Sequence, residues 1–325
     1  MIMSVLIYAQ NDNGKFPKPV FELASYAFAL ATQTGGTVKA LVTGEVSETE
    51  IQKLGQFGVS KVWVTDEPAG PAVDTRSFAI LLASAVENSG TAFVLLADNA
   101  ISRAVAPRLA VRLSAGYVAG ASGLPLQLDP FTVRRPVFTG KASAWVEIST
   151  AVKVLIIARN TWQISENPVP CAIEAFTPAG SLSTVDFQIE KVVEQTGAIR
   201  LQDAEVVVSG GRGMRSADNW KVLEDLAAAM GAALSCSRPV ADEGWRPHQE
   251  HVGQTGKVVA PNLYIACGIS GAIQHIGGIS SSRVIVAINK DPDAPIFQFA
   301  RYGIIGDLFQ VLPELTRAVR KLKSE

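Results

Sequence analysis

The sequence predicts an α/β protein of two units, the second of them doubly wound. Three observations lead there. Short apolar runs alternate with segments of helical period over residues 4–113, and again from residue 204 onward. That alternation is the mark of parallel sheets covered by helices. Residues 116–164 break the rhythm, placing apolar runs in succession with no helical segment between them. Finally, 325 residues exceed the roughly 250–300 at which a single core stops growing.

The elements follow in order. SVLIYAQ (4–10) reads as the first strand, and an apolar-periodic helix over 19–34 stops at Gly35-Gly36. TVKALVTG (37–44), a helix near 47–57, KVWVT (61–65), a helix near 75–89, AFVLLAD (92–98) and a helix near 100–113 continue the pattern. FTVRRPVFTG, SAWVEIS and AVKVLIIARN then read as strands that extend the mostly parallel sheet in antiparallel fashion. Residues 165–203 are polar and rich in turn residues around Pro168, Pro170, Pro178 and Gly180, with one amphipathic stretch, VDFQIEKVVE. The domain boundaries expected are 1–190, a linker over 191–203, and 204–325.

The second unit opens with AEVVVSGG (204–211), a helix near 216–230, AALSCSR (232–238) and a long polar loop. LYIACG (263–268), a short helix from Gly271, RVIVAINK (283–290), a helix near 295–301, GIIGD and a helix near 308–322 complete it. Five strands with intervening helices suit a Rossmann- or flavodoxin-like domain, whose ligands bind at the C-terminal strand ends.

Composition removes several function classes. Apolar residues at 48% and charged residues at 18% exclude a disordered chain. A net charge of −1 offers no surface for nucleic acid or anionic lipid. No apolar run reaches the ~18–20 residues of a membrane span. The N-terminus MIMSVLIYAQNDNGK lacks a basic segment ahead of its apolar run, and it is not Arg-rich. It therefore predicts a strand rather than a signal or transit peptide, and a cytoplasmic location of bacterial type. Cys171, Cys236 and Cys267 are too dispersed for a disulfide framework or a metal cluster.

Several motifs are weak taken singly. SGGRGMRS (209–216) leaves a strand and enters a helix, the setting in which backbone N–H groups meet a phosphate. Ser216 replaces the third glycine of a dinucleotide fingerprint, and Ser237-Arg238 stands where its acidic residue belongs, so NAD is disfavoured. VGQTGK (252–257) is too short for a P-loop, though such a turn can aim a hydroxyl and backbone donors at one ligand. His248 and His251 have helical i, i+3 spacing, but Pro247 interrupts the helix and no third metal ligand is apparent. Asp291 and Asp293 fit a Pro-containing turn as well as a cation site. GISGAIQH (268–275) places one of three histidines just past a glycine hinge at a strand end.

Taken together, SGGRG, SR, VGQTGK, PNLYIACGISGAIQH and VIVAINKDPDAPIFQFARYGIIGDLF, in this order, resemble the alpha subunit of electron transfer flavoprotein. The resemblance is dense over 204–323 and thinner before it. It implies one FAD in the C-terminal domain, and a partner beta subunit that contacts the N-terminal domain and holds AMP or, in bifurcating members, a second FAD. It further implies electrons taken from dehydrogenases, typically the acyl-CoA dehydrogenases of fatty acid beta-oxidation, and passed to a membrane quinone oxidoreductase. The chain would then be an electron carrier and not an enzyme.

Residue by residue, the resemblance implies that Arg212 and Ser237 help seat the FAD and that Arg238 lies against its ring. Thr255 would bond flavin N5, with Val252, Gly253 and Gln254 completing that loop. Ser270, Gly271, Ala272, Ile273 and Gln274 would hold the pyrophosphate and ribityl region. His275 would face the O2 carbonyl, and Asn289, Asp307 and Leu308 the adenosine end. Arg238, Thr255 and His275 are thus the expected redox-tuning residues. Positive charge and donors in those places meet the negative charge that reduction puts on the ring. His251 departs from the glutamine common in the family and is left without a role. Two alternatives remain at this stage: an NADH-oxidising bifurcating subunit, and a nucleotide-binding regulatory module without redox activity.

Overall fold

The computed structural model describes residues 3–67, 74–138, 140, 142–179, 201 and 204–324. The chain divides into two compact units, Met1–Val193 and Glu194–Glu325. The stretch 185–194 and the expected linker 191–203, Leu201 apart, lie outside the described residues.

In the first unit β1 (Val5–Tyr8), α1 (Lys18–Thr34), β2 (Val38–Thr43), α2 (Glu48–Gln56), β3 (Val59–Thr65), α3 (Thr75–Ser89), β4 (Phe93–Ala97) and α4 (Ala100–Arg112) alternate. The local causes are ordinary. Ser47, Asp74 and Asn99 accept the N–H three residues on and start α2, α3 and α4. Gly35 and Gly90 adopt φ of 67° and 62° and end α1 and α3. Six further strands follow: β5 (Gly116–Ala121), β6 (Gln127–Leu128), β7 (Phe131–Val137), β8 (Ala142–Ile148), β9 (Lys153–Ile157) and β10 (Ala172–Ala175). Seven strands form a wholly parallel sheet in the order β10-β3-β2-β1-β4-β9-β5. One apolar cluster around Tyr26 and Phe93, and another around Leu81 and Leu109, account for the core of this unit.

The antiparallel region is arranged differently from a simple extension of that sheet. β6, β7 and β8 are antiparallel but form a three-stranded sheet of their own. Ser122 N–H, just past β5, donates to Arg134 O at 2.8 Å and links the two sheets. β9, by contrast, lies parallel between β4 and β5. The residues explain the split. Val154, Leu155, Ile156 and Ile157 are all buried, as the interior of a covered parallel sheet requires. In β8, exposed Trp145 and Glu147 alternate with half-buried Val146 and buried Ile148, a strand with one wet face. β10, four residues long and mostly exposed, adds an edge strand beside β3 where the sequence reads as loop.

The second unit contains β11 (Val206–Gly210), α5 (Lys221–Met230), β12 (Ala233–Cys236), α6 (Arg238–Asp242), β13 (Leu263–Cys267), α7 (Ile273–Ile279), β14 (Val284–Asn289), β15 (Tyr302–Ile305) and α8 (Leu308–Ser324). Single 3-10 turns at Arg212–Met214 and Ala217–Trp220 precede α5, and one at Pro295–Gln298 stands where a longer helix is expected. Its five strands are all parallel in the order β12-β11-β13-β14-β15. The chain runs from β11 to β12 on one side and returns to β13 on the other. The order thus reverses between β11 and β13, where open α/β sheets leave a crevice at their C-terminal ends. Those ends are level, since Gly210 pairs with both Cys236 and Cys267.

Candidate cofactor site

The two loops that leave β11 and β13 meet backbone to backbone. Gly211 N–H donates to Cys267 O at 2.9 Å and Gly213 N–H to Gly268 O at 3.1 Å. A methyl group on Gly211 would lie 2.2 Å from the Gly268 oxygen, so no side chain fits there. Gly268 also has a φ of 64°, a left-handed conformation that favours glycine. Between these loops Arg212 stays exposed, while Arg215 turns aside to pair with Asp307 at 3.1 Å and to cover the Phe309 ring.

The 252–257 turn is drawn to the same edge from a distance in sequence. Val252 N–H donates to Cys236 O at 3.0 Å, which sets the turn alongside the end of β12, and Gln254 N–H donates to Gln274 O at 2.7 Å at the start of α7. A methyl group on Gly278 would lie 2.5 Å from the Gly253 Cα, so α7 packs directly on the turn. Gln254 and Thr255 remain exposed at its tip, as do Ser270, Ala272, Ile273 and Gln274 beside it. Gly271, with a φ of 90°, packs on Ile296, and Ser270 O accepts from Ile296 N–H at 2.9 Å.

Ser237 is buried and closes the end of β12 with its N–H on Gly210 O at 3.0 Å. Arg238 follows in the first turn of α6. Its side chain is 63% exposed and its Nε donates to Asp242 at 3.3 Å. Asn289 bridges two loops, donating to Ile269 O at 3.0 Å and accepting from Asp291 N–H at 3.1 Å. Asp307 accepts from Phe309 N–H at 2.9 Å and from Arg215, and Leu308 is buried beneath. The expected site residues other than His275 therefore lie along the C-terminal edge of one sheet.

His275 sits deeper than the others. It is 6% exposed, and its Nε2 is 3.0 Å from the hydroxyl of Tyr264, a fully buried residue of β13. Burial pushes its pKa down to about 4, against a smaller opposing effect of the Val252 backbone. His251 is also buried, and burial together with the Arg238 charge lowers its pKa. Burial raises the Cys236 thiol to about 12 and raises Cys267 as well, so neither supplies a thiolate. Among the described residues no three His, Cys, Asp or Glu side chains gather as metal ligands.

The donor set can receive an anionic ligand at the strand ends. Exposed guanidinium, hydroxyl and amide groups stand beside glycines that let a ligand approach the backbone. The Arg215–Asp307 pair beside the crevice has no counterpart among the contacts the sequence predicts. Its only signal was a second arginine in SGGRGMRS, and Asp307 lies far along the chain.

The comparisons with known proteins agree with this geometry. Residues 200–280 match the family described as "Electron transfer flavoprotein FAD-binding domain", and residues 5–181 match the "Electron transfer flavoprotein domain". The electron transfer flavoprotein subunit alpha of Thermoanaerobacterium thermosaccharolyticum is 36% identical, over 98% of this chain and 98% of its own. The chain belongs to the electron transfer flavoprotein alpha subunits. The subunits from Pseudomonas aeruginosa, at 37% identity over 98% of this chain and 100% of their own, and from Bacillus subtilis, at 33% over 98% of each, are similar throughout. Electron transfer flavoprotein alpha subunits carry the FAD-binding domain, and the matched segment 200–280 contains every loop of the crevice except those after β14 and β15. No helix among the described residues is long and apolar enough to cross a membrane.

Proposed function

We propose that this chain binds one FAD along the C-terminal edge of its second sheet and shuttles electrons between proteins. Its donors are dehydrogenases, acyl-CoA dehydrogenases foremost, and its acceptor is a membrane quinone oxidoreductase. It works as a heterodimer with a beta subunit that holds AMP, from within the cytoplasm. The observation that carries the reading is that the 211–216 and 268–274 loops meet where the strand order reverses, and that the 252–257 turn joins the end of β12 to the start of α7 beside them.

FAD supplies the one-electron chemistry that no side chain of the crevice offers. The residues supply place and potential. Arg212 and the backbone of 270–274 orient the phosphates, and Thr255 presents a hydroxyl to the ring. Arg238 contributes a fixed positive charge that favours the reduced ring. Asn289, Asp307 and Leu308 form the far end. The test is co-expression with the beta subunit of the same organism, followed by mass identification and quantification of released cofactors. One FAD from this chain, reduced by an acyl-CoA dehydrogenase with its substrate, is expected. A colourless complex overturns the reading, and rapid reduction by NADH with two FAD per complex overturns the choice of donor.

A further inference from the structure

We propose that Tyr264, a core residue of β13 outside the cofactor crevice, is a positioning residue for His275. Its hydroxyl donates to Nε2, fixes the imidazole as the Nδ1–H tautomer, and so keeps a permanent donor on the ring's opposite side. The proposal deepens the FAD reading, since His275 belongs to the segment assigned to the cofactor.

The observations are these. Tyr264 is 0% exposed and its hydroxyl lies 3.0 Å from His275 Nε2. Ser209 and Ser235, both buried and without a hydrogen bond of normal geometry among the described residues, lie beside the same hydroxyl. Among the described residues no carboxylate acts on His275; besides Tyr264, the Val252 backbone and the His251 ring do. Without a counter-charge, a buried imidazole stays neutral and carries one N–H and one lone pair. Which nitrogen holds the proton is then decided by the other's partner. A phenol is a stronger acid than a neutral imidazole N–H, and the imidazole nitrogen is a stronger base than a phenol oxygen. O–H···N is therefore the favoured direction. The proton falls to Nδ1, which is buried, beside the Val252 backbone, and makes no hydrogen bond of normal geometry among the described residues. The imidazole thus runs from the middle of the sheet to the turn that carries Thr255. A fixed donor there steadies the turn or meets an acceptor brought by the cofactor, whereas the opposite tautomer would present a lone pair to the Val252 carbonyl.

The test is nitrogen NMR of the heterodimer with this chain labelled in 15N-histidine. Three histidines give three ring systems, and His275 is the one missing in His275→Asn. The expected signature is protonated Nδ1 and bare Nε2, constant between pH 8 and pH 5.5. Tyr264→Phe should mix the tautomers and speed FAD release by about 2- to 10-fold, the range for loss of one hydrogen bond. A protonated Nε2 in the wild type overturns the proposal, and so does an unchanged Nδ1–H signature in folded Tyr264→Phe. The wild-type spectrum decides the direction of the bond even where the variant does not fold. Protein that purifies without flavin overturns the FAD reading alone, because the tautomer is read from the chain itself.

Discussion

Arg238 and His275 make opposite demands on their surroundings. Arg238 is exposed and pairs with Asp242, four residues on. Such surface pairs contribute little to stability, so Arg238→Ala should leave the melting temperature almost unchanged. Its effect should appear in the flavin. A hydrogen bond to a charged group is worth about 1.5–3 kcal/mol, which corresponds to roughly 65–130 mV for one electron. The first reduction potential should fall by about that much in spectroelectrochemical titration, with partial rescue by lysine, whose ammonium lacks the flat guanidinium. A shift under ~20 mV, far below that range, would remove Arg238 from the tuning residues. His275 instead links stability to pH. Its folded pKa of about 4 lies below the ordinary histidine value of 6.5, so the folded state binds fewer protons in between. Its contribution is complete above pH 6.5 and is lost as pH falls toward 4, at up to about 1.4 kcal/mol per pH unit. Between pH 7 and pH 5 the wild type should lose more stability than His275→Asn, measured by urea unfolding. Equal losses would count against a buried neutral imidazole.

At the level of elements, the crevice is made by backbones in contact. α7 touches the 252–257 turn through Gly278 and Gly253, and a methyl group on Gly278 would lie 2.6 Å from the Gly253 nitrogen as well. The Gln254–Gln274 hydrogen bond of 2.7 Å holds the two backbones together beside that contact. Gly278→Ala should therefore cost about 1–3 kcal/mol, the range for overpacking, and displace Thr255 from its place. The flavin-to-protein absorbance ratio after gel filtration should drop well below that of the wild type. Full retention of FAD would show that the turn is not part of its site. The sequence made SGGRG and VGQTGK legible as turns, because glycine and its small polar neighbours are local signals. It could not show that these turns converge, since the partners lie dozens of residues apart.

At the level of the whole molecule, each compact unit has apolar clusters of its own. Those of the second unit gather around Tyr264 and Ile276, and around Trp220 and Leu312. We expect a fragment beginning at Glu194 to unfold cooperatively by circular dichroism. A broad, non-cooperative transition would mean that the second unit depends on the first for its fold. Ligand and partner binding raise stability by mass action, about 2.7 kcal/mol at one hundred times Kd. The chain with FAD and beta subunit should accordingly melt higher than the chain alone, in a manner that depends on concentration. Identical melting temperatures would deny the association.

From the sequence alone came the α/β class, the succession of strands and helices in each stretch of alternation, and the family. These depend on local signals: apolar period, glycine turns and long linear motifs. It also carried the expected cofactor residues, because the motifs that name the family contain them. The folded chain settled the relations between residues that are distant in sequence. β9 is parallel while β7 and β8 pair in a sheet of their own, a choice made by which faces find cover. Arg215 pairs with Asp307 across 92 positions. The sequence marks His275 as an expected redox-tuning residue on a short helix, and packing makes it neutral and gives it Tyr264 as a partner. Burial and proximity are properties of the folded chain, because desolvation depends on everything that surrounds a group and not on its neighbours in sequence.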